Sequence, residues 1–326
     1  MLVFHTPVLT DQLLPYSYRA RATIPSKHIQ ESRVTADLKT VEQEDVVVLG
    51  KKHTLEDANF LKKNKIKFIV DIADHKFKYP KFEHWKQTIL MANAVTTTCT
   101  TLGSVIVKNT KFKNSIVIPD PTERERKEAS FKVKDTMTMC WYGADKNFEK
   151  LDFGLIQSEL NKVHPTKFLL MTNKPKVLSL VNEREKTYHW WLKDDSIRNI
   201  HLSIYDKVDD WSFEAQEDMI NKSDIVLLPV TNDKEARCKG NNRPIDALQS
   251  GKFVLTNPGI PSYEILKNYI SVDNLCKGYK HALENPKMIN EMIKKGQEEI
   301  DKNYTPIAIA NKWRQVYEDI MRNNVE

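Results

Sequence analysis

An alternation constrains this chain more than any single motif does. Short β-rich runs recur along it: VVVLG (46–50), KFIVDIAD (67–74), AVTTT (94–98), SIVIPD (115–120) and TMCWYG (138–143). KFLLMTN (167–173), NIHLSIY (199–205), DIVLLP (224–229) and KFVLT (252–256) continue the series, and the apolar start of the chain reads as a first strand. Helical sequence fills the intervals, as at 80–92, 148–163, 212–223 and 243–250. Several runs are apolar at consecutive positions, as strands covered on both faces must be. Strand–helix alternation at this spacing means βαβ units and parallel sheets.

The chain has 326 residues, comfortable for two domains. The seam falls in IPDPTERERKEASFKVKD (118–135), where two prolines and a charge run separate one apolar strand from the next. The fold class is therefore α/β, with two Rossmann-like, doubly wound parallel-sheet domains facing across a cleft. The expected divisions are 1–125, 126–302 and a terminal helix in 303–326. That helix places Ile309, Trp313, Val316, Tyr317 and Ile320 on one face, so it is packed and not a tail.

Composition excludes several classes. No run of 18 apolar residues exists to span a membrane, and MLVFHTPVLTDQLLP lacks the basic start of a secretory signal. Cys99, Cys140, Cys238 and Cys276 stand far apart, which argues against a zinc site or a disulfide framework and suits a reducing cytoplasm. The charge is uneven: residues 1–118 hold 18 Lys/Arg against 11 Asp/Glu, whereas the remainder is nearly balanced. A basic first half implies an anionic partner there, and HKFKYPKFEHWK (75–86) has the composition of a contact for anionic lipid or nucleic acid. A solvated helix face is the plainer reading of that run.

The stretch KGNNRPIDALQSG (239–251) carries the chemistry. It follows strand DIVLLP and so lies beyond the carboxyl edge of a parallel sheet, where such folds bind ligands. Asn242 suits an N-cap, Pro244 the first turn, and Gly251 a left-handed stop. Free amides at that helix start, flanked by Lys239 and Arg243, make a site for a phosphate or diphosphate. Gly240 lets backbone approach the anion, and Asp246, one turn on, suits two ribose hydroxyls. Solvated charges with an ordinary first-turn Asp are the alternative.

Those residues resemble the donor-binding segment of GT-B glycosyltransferases, particularly the retaining group with K-x-x-N-R-x-x-E/D-A-L-x-x-G. PYSYRARATIP (15–25), the 68–120 region, TMCWYGADKNFEKL (138–151) and YTPIAIANKWRQVYEDI resemble further parts of that fold. The resemblance implies an acceptor-side first domain, a nucleotide-sugar donor domain and a terminal helix crossing back to the first. It implies donor diphosphate contacts from Lys239, Gly240, Asn241, Asn242, Arg243, Gly143 and Lys146, with Asp246 on the ribose. Position 246 holds Asp where the family has Glu, and the acidic residue expected eight positions earlier is Cys238.

Asp74 and His75 follow strand FIVDIAD, at the edge where catalytic groups collect, and Arg19 is the acceptor-side cation. No D-x-D metal motif stands out; Asp194–Asp195 and Asp209–Asp210 read as solvated turns, so no metal and no cofactor beyond the donor is expected. The expected activity is metal-independent, retaining transfer from a nucleotide-diphosphate sugar, in surface polysaccharide or glycoconjugate synthesis. The expected location is the cytoplasm, peripherally at the inner membrane face. Transfer to a nucleic-acid base or another acceptor, and a non-catalytic nucleotide-sugar binding module, are the alternatives.

Overall fold

The protein is described by a computed structural model covering residues 1–6, 16–75, 82–143, 150–173, 200–205, 213–231 and 233–322. Both acidic pairs, and residues 76–81 of the basic aromatic run, lie outside these described residues. Among the described residues the strands form two six-stranded sheets. The first takes β1 (Leu2–His5), β2 (Ser32–Thr35), β3 (Val46–Leu49), β4 (Lys67–Ile72), β5 (Ala94–Thr97) and β6 (Ile116–Val117), in the order β2-β1-β3-β4-β5-β6. The second takes β7 (Met137–Gly143), β8 (Thr166–Asn173), β9 (Ile200–Tyr205), β10 (Ile225–Leu227), β11 (Phe253–Thr256) and β12 (Ser271–Val272), in the order β12-β11-β10-β7-β8-β9. Every one of these pairings is parallel.

The first sheet shows why its strands read as unbroken apolar runs. Val3, Val47, Leu49, Phe68 and Val70 face one apolar layer, while Leu2, Phe4, Val46, Val48 and Ile69 face another. The period of two holds along each strand, but both faces are covered. Helices Leu55–Lys63, Phe82–Met91 and Thr100–Thr110 lie on the first face, and helix Pro306–Arg322 lies on the second. Ile309, Trp313 and Val316 enter that second layer, and the Trp313 ring meets Phe4 edge-on at 5.4 Å. The second sheet carries its own core, in which Trp141, Phe168, Phe253, Tyr263 and Tyr279 are fully buried.

Strands β2 and β12 have no counterpart among the runs read from the sequence. SRVT and SV are short, partly polar edge strands, with one neighbour each and no unbroken apolar stretch to announce them.

Between β6 and β7 the chain runs without helix or strand and is tied into the surrounding structure by backbone bonds. Thr122 N–H donates to Tyr304 C=O and Lys127 N–H to Gln249 C=O, each at 2.8 Å. At the start of this connection sits a buried ion cluster. Arg21 spans Asp71 (2.6 and 3.0 Å) and Asp120 (3.3 Å), and Thr96 Oγ1 donates to Asp71 at 2.7 Å. Burial pushes the Asp120 carboxyl up to about 6, with Arg21 opposing. No helix among the described residues is long and apolar enough to cross a membrane.

Candidate functional site

In a doubly wound sheet the crevice opens where strand order reverses, beyond the carboxyl ends. In the second sheet that point lies between β7 and β10, which pair directly while β8 and β11 continue outward on either side. A crevice is present there, lined by Trp141, Lys150, Val230, Glu235, Lys239 and Arg243 among others. The helix Asn242–Gln249 begins at its wall.

The helix start falls one residue earlier than expected. Asn241, not Asn242, is the N-cap; its side chain makes no capping bond, and its Nδ2 donates to the Tyr304 hydroxyl at 3.2 Å. Ile245 N–H is the first amide to close on the helix, onto Asn241 C=O. Among the described residues the amides of Asn242 and Arg243 make no backbone bond, and Pro244 has none to offer. The helix start thus carries two amides without a backbone acceptor at the positive end of its dipole.

Among the described residues three cations line the crevice, in different electrostatic states. Lys150 binds Asp233 at 2.8 Å with Glu235 at 4.0 Å. Against its own burial, Asp233 is held well below the carboxylate range by Lys150 and the Ala236 N–H. Lys239 reaches Asp74 of the first sheet at 3.2 Å. Arg243 donates to Tyr142 C=O at 3.2 Å and, among the described residues, has no carboxylate partner. The Trp141 ring limits Gly143: a Cβ there would lie 2.8 Å from that ring, with Arg243 Nη1 at an ordinary 3.5 Å. Lys146 lies outside the described residues.

The neighbouring positions are placed differently from expectation. A Cβ on Gly240 would meet Thr98 Cβ at 3.4 Å and Asp120 Oδ2 at 3.8 Å, ordinary contacts that place this position against the first domain. Cys238 is buried within the apolar layer of the first sheet, and the Cys99 thiol points at its carbonyl oxygen at 3.5 Å. Burial raises the Cys238 thiol to about 11. Residues 238–240 therefore also dock the two halves on one another.

Asp246 is 5% exposed and faces the connection between the sheets. Its Oδ1 accepts from Thr122 Oγ1 at 3.1 Å and Glu123 N–H at 3.3 Å, and burial pushes its carboxyl up to about 7 despite nearby Arg124. It is not among the groups lining the crevice, and the contacts it makes are to Thr122 and Glu123 of the connection. Arg19 is likewise engaged, gripping Glu123 with Nε and Nη2 at 2.9 Å each. That bidentate pair engages the guanidinium edge from which an acceptor or phosphate contact was expected.

Across the crevice, Asp74 follows β4 as expected, with His75 beside it. Asp74 pairs with Lys51 at 2.7 Å as well as Lys239. Lys51 follows β3 and lines a second crevice with His5, Thr6, Ser17, Tyr18 and Arg21, at the β1/β3 switch point of the first sheet. Lys51, Lys150 and Glu235 were not anticipated; their only sequence signal is position after a strand at a carboxyl edge.

No family model matches this chain, and neither does any curated protein. Solved structures do. TarM superposes with a TM-score of 0.63 at 14% identity over 86% of this chain, and the chain spans 56% of TarM. A mutant of S. aureus TarM in complex with fondaparinux, alpha-GlcNAc-glycerol and UDP gives 0.59 at 14% identity, covering 86% of this chain and 57% of that one. A structure described as trehalose-6-phosphate from E. coli bound with UDP-2-fluoro glucose gives 0.63 at 10% identity, covering 96% of this chain and 85% of that one. At such identities the likeness is one of fold, and the fold is the two-sheet α/β arrangement of GT-B glycosyltransferases.

Proposed function

We propose that this protein is a glycosyltransferase that binds a nucleotide-diphosphate sugar in the β7/β10 crevice and passes the sugar to an acceptor held by the first domain. The observation that carries this reading is Arg243: a guanidinium at the switch point, beside open helix amides, with no carboxylate among the described residues to neutralise it. A diphosphate supplies the missing charge, and in a crevice of this kind it binds through charge-assisted hydrogen bonds. As the glycosidic bond to the donor breaks, negative charge grows on the leaving diphosphate. In this reading Arg243 and the helix-start amides, joined by Lys239 once it leaves Asp74, hold that charge and stabilise the transition state without a metal.

Retention of anomeric configuration and a role in surface polysaccharide or glycoconjugate synthesis belong to this proposal, as does work at the inner membrane face. Two structural neighbours support the donor class, since they are described with UDP or a UDP-sugar analogue bound. Asp74, which meets Lys239 from the first domain, and its neighbour His75 are the candidates for contacting the transferred sugar or the acceptor hydroxyl.

A second reading has one specific observation in its favour. The carboxylate that the resemblance expects at position 238 is replaced by a cysteine buried against the first domain, which suits a module that binds nucleotide sugars without turning them over. Incubating the protein with UDP-, GDP-, ADP- and CMP-sugars, and following nucleotide release with NMR of the anomeric product, separates the two. Release of a nucleoside diphosphate with an α-configured product from an α-linked donor is the expected result. Binding with no release across the panel and a range of acceptors rejects the enzyme in favour of the module.

A further inference from the structure

Asp74 stands between two ammonium groups that belong to different halves of the molecule. Its Oδ2 meets Lys51 at 2.7 Å and its Oδ1 meets Lys239 at 3.2 Å. Lys51 lines the crevice of the first sheet, whereas Lys239 lines the crevice of the second. All three side chains are about one-third exposed, so the pairs are weak enough to exchange. Catalytic bases need a free oxygen to take a proton; here each oxygen already holds a cation.

Resting on the donor-binding reading above, we propose that Asp74 is an exchangeable counter-ion and positioning residue: it neutralises Lys239 while the donor crevice is empty and yields it to the donor diphosphate. The exchange is a swap of ion pairs. The Lys239 ammonium leaves one carboxylate oxygen for a phosphate oxygen, and Asp74 relaxes onto Lys51. Donor arrival thereby changes the charge presented in the first-domain crevice, because Lys51 no longer shares Asp74 with Lys239. Occupancy of the donor site is thus reported to the acceptor side through three side chains.

The test is calorimetric titration with UDP, GDP, ADP and CDP on wild type, Asp74→Asn, Lys51→Ala, Lys239→Ala and the Asp74→Asn/Lys239→Ala double variant. Removing the competitor should raise diphosphate affinity about two- to fivefold in Asp74→Asn, the range of an exposed pair. Lys51→Ala should lower it by a similar factor, because Asp74 then grips Lys239 more firmly. A general change in the local field would produce the same two signs, but it would persist without Lys239. The exchange does not: in the Lys239→Ala background the Asp74→Asn effect should vanish. An Asp74→Asn effect that is absent, reversed or undiminished by Lys239→Ala overturns the exchange alone. Failure of every diphosphate to bind wild type overturns the donor reading and the exchange with it.

Discussion

Asp246→Asn tests the account of the interdomain connection through pH. The carboxyl is buried and titrates near 7 in the folded protein, against about 3.9 in an unfolded chain. Because the folded value is the higher one, the native state keeps a proton that the unfolded chain has already released. Stability from this group is therefore complete below about pH 4 and falls as pH rises toward 7, at up to about 1.4 kcal/mol per unit. Integrated between pH 5 and pH 7 the loss is about 2 kcal/mol. Asparagine keeps an oxygen for Thr122 Oγ1 and Glu123 N–H but does not titrate. The variant should thus match wild type within about 1 kcal/mol only below about pH 4, exceed it by about 1.5 kcal/mol at pH 5, and by about 2 kcal/mol more at pH 7. Urea midpoints read by tryptophan fluorescence at these pH values measure the difference, with Trp141 and Trp313 reporting on separate cores. Taking the difference between variant and wild type cancels Asp120, which shifts in the same direction. Parallel pH dependence in the two proteins would refute the assignment of a neutral, buried carboxyl at this position.

Other expectations follow from the same interfaces. Arg21→Met leaves Asp71 and Asp120 buried without their cation and should cost about 3–5 kcal/mol at pH 7 by chemical denaturation. The loss should shrink at pH 5, where Asp120, pushed up to about 6, takes a proton. Cys238→Glu restores the acidic residue of the family pattern but drives a carboxylate into the apolar layer of the first sheet. It should lower the melting temperature sharply, by at least several kcal/mol of stability, whereas Cys238→Ala should cost about 1–2 kcal/mol.

The fold was legible because its physics is written locally. Val46–Leu49 and Phe253–Thr256 are apolar at nearly every position, which only strands covered on both faces require. The crevice was legible for a related reason: a strand, a polar loop and a helix start mark a carboxyl edge wherever they occur in order. What the sequence hid was direction. Gly240 and Cys238 lie in the loop read as an anion cradle, yet they face Thr98, Asp120 and the first apolar layer, because the partner surface is more than a hundred residues away. Asp246 has the spacing of a ribose ligand, but Thr122 and Glu123 reach its carboxylate first. Arg19 looked like a cation awaiting an anion, and the anion proved to be Glu123. Lys51 and Asp74, 23 positions apart, become neighbours only when β3 and β4 pair in register.

The central claim is that a nucleoside diphosphate is held by its phosphates at Arg243 and the adjoining helix amides. Titrating each nucleoside, monophosphate and diphosphate into wild type and Arg243→Ala measures it directly. One diphosphate should bind wild type well above its nucleoside, and Arg243→Ala should weaken that diphosphate about tenfold or more while leaving the nucleoside within about twofold. Equal weakening of both, or no advantage of any diphosphate over its nucleoside, would contradict it.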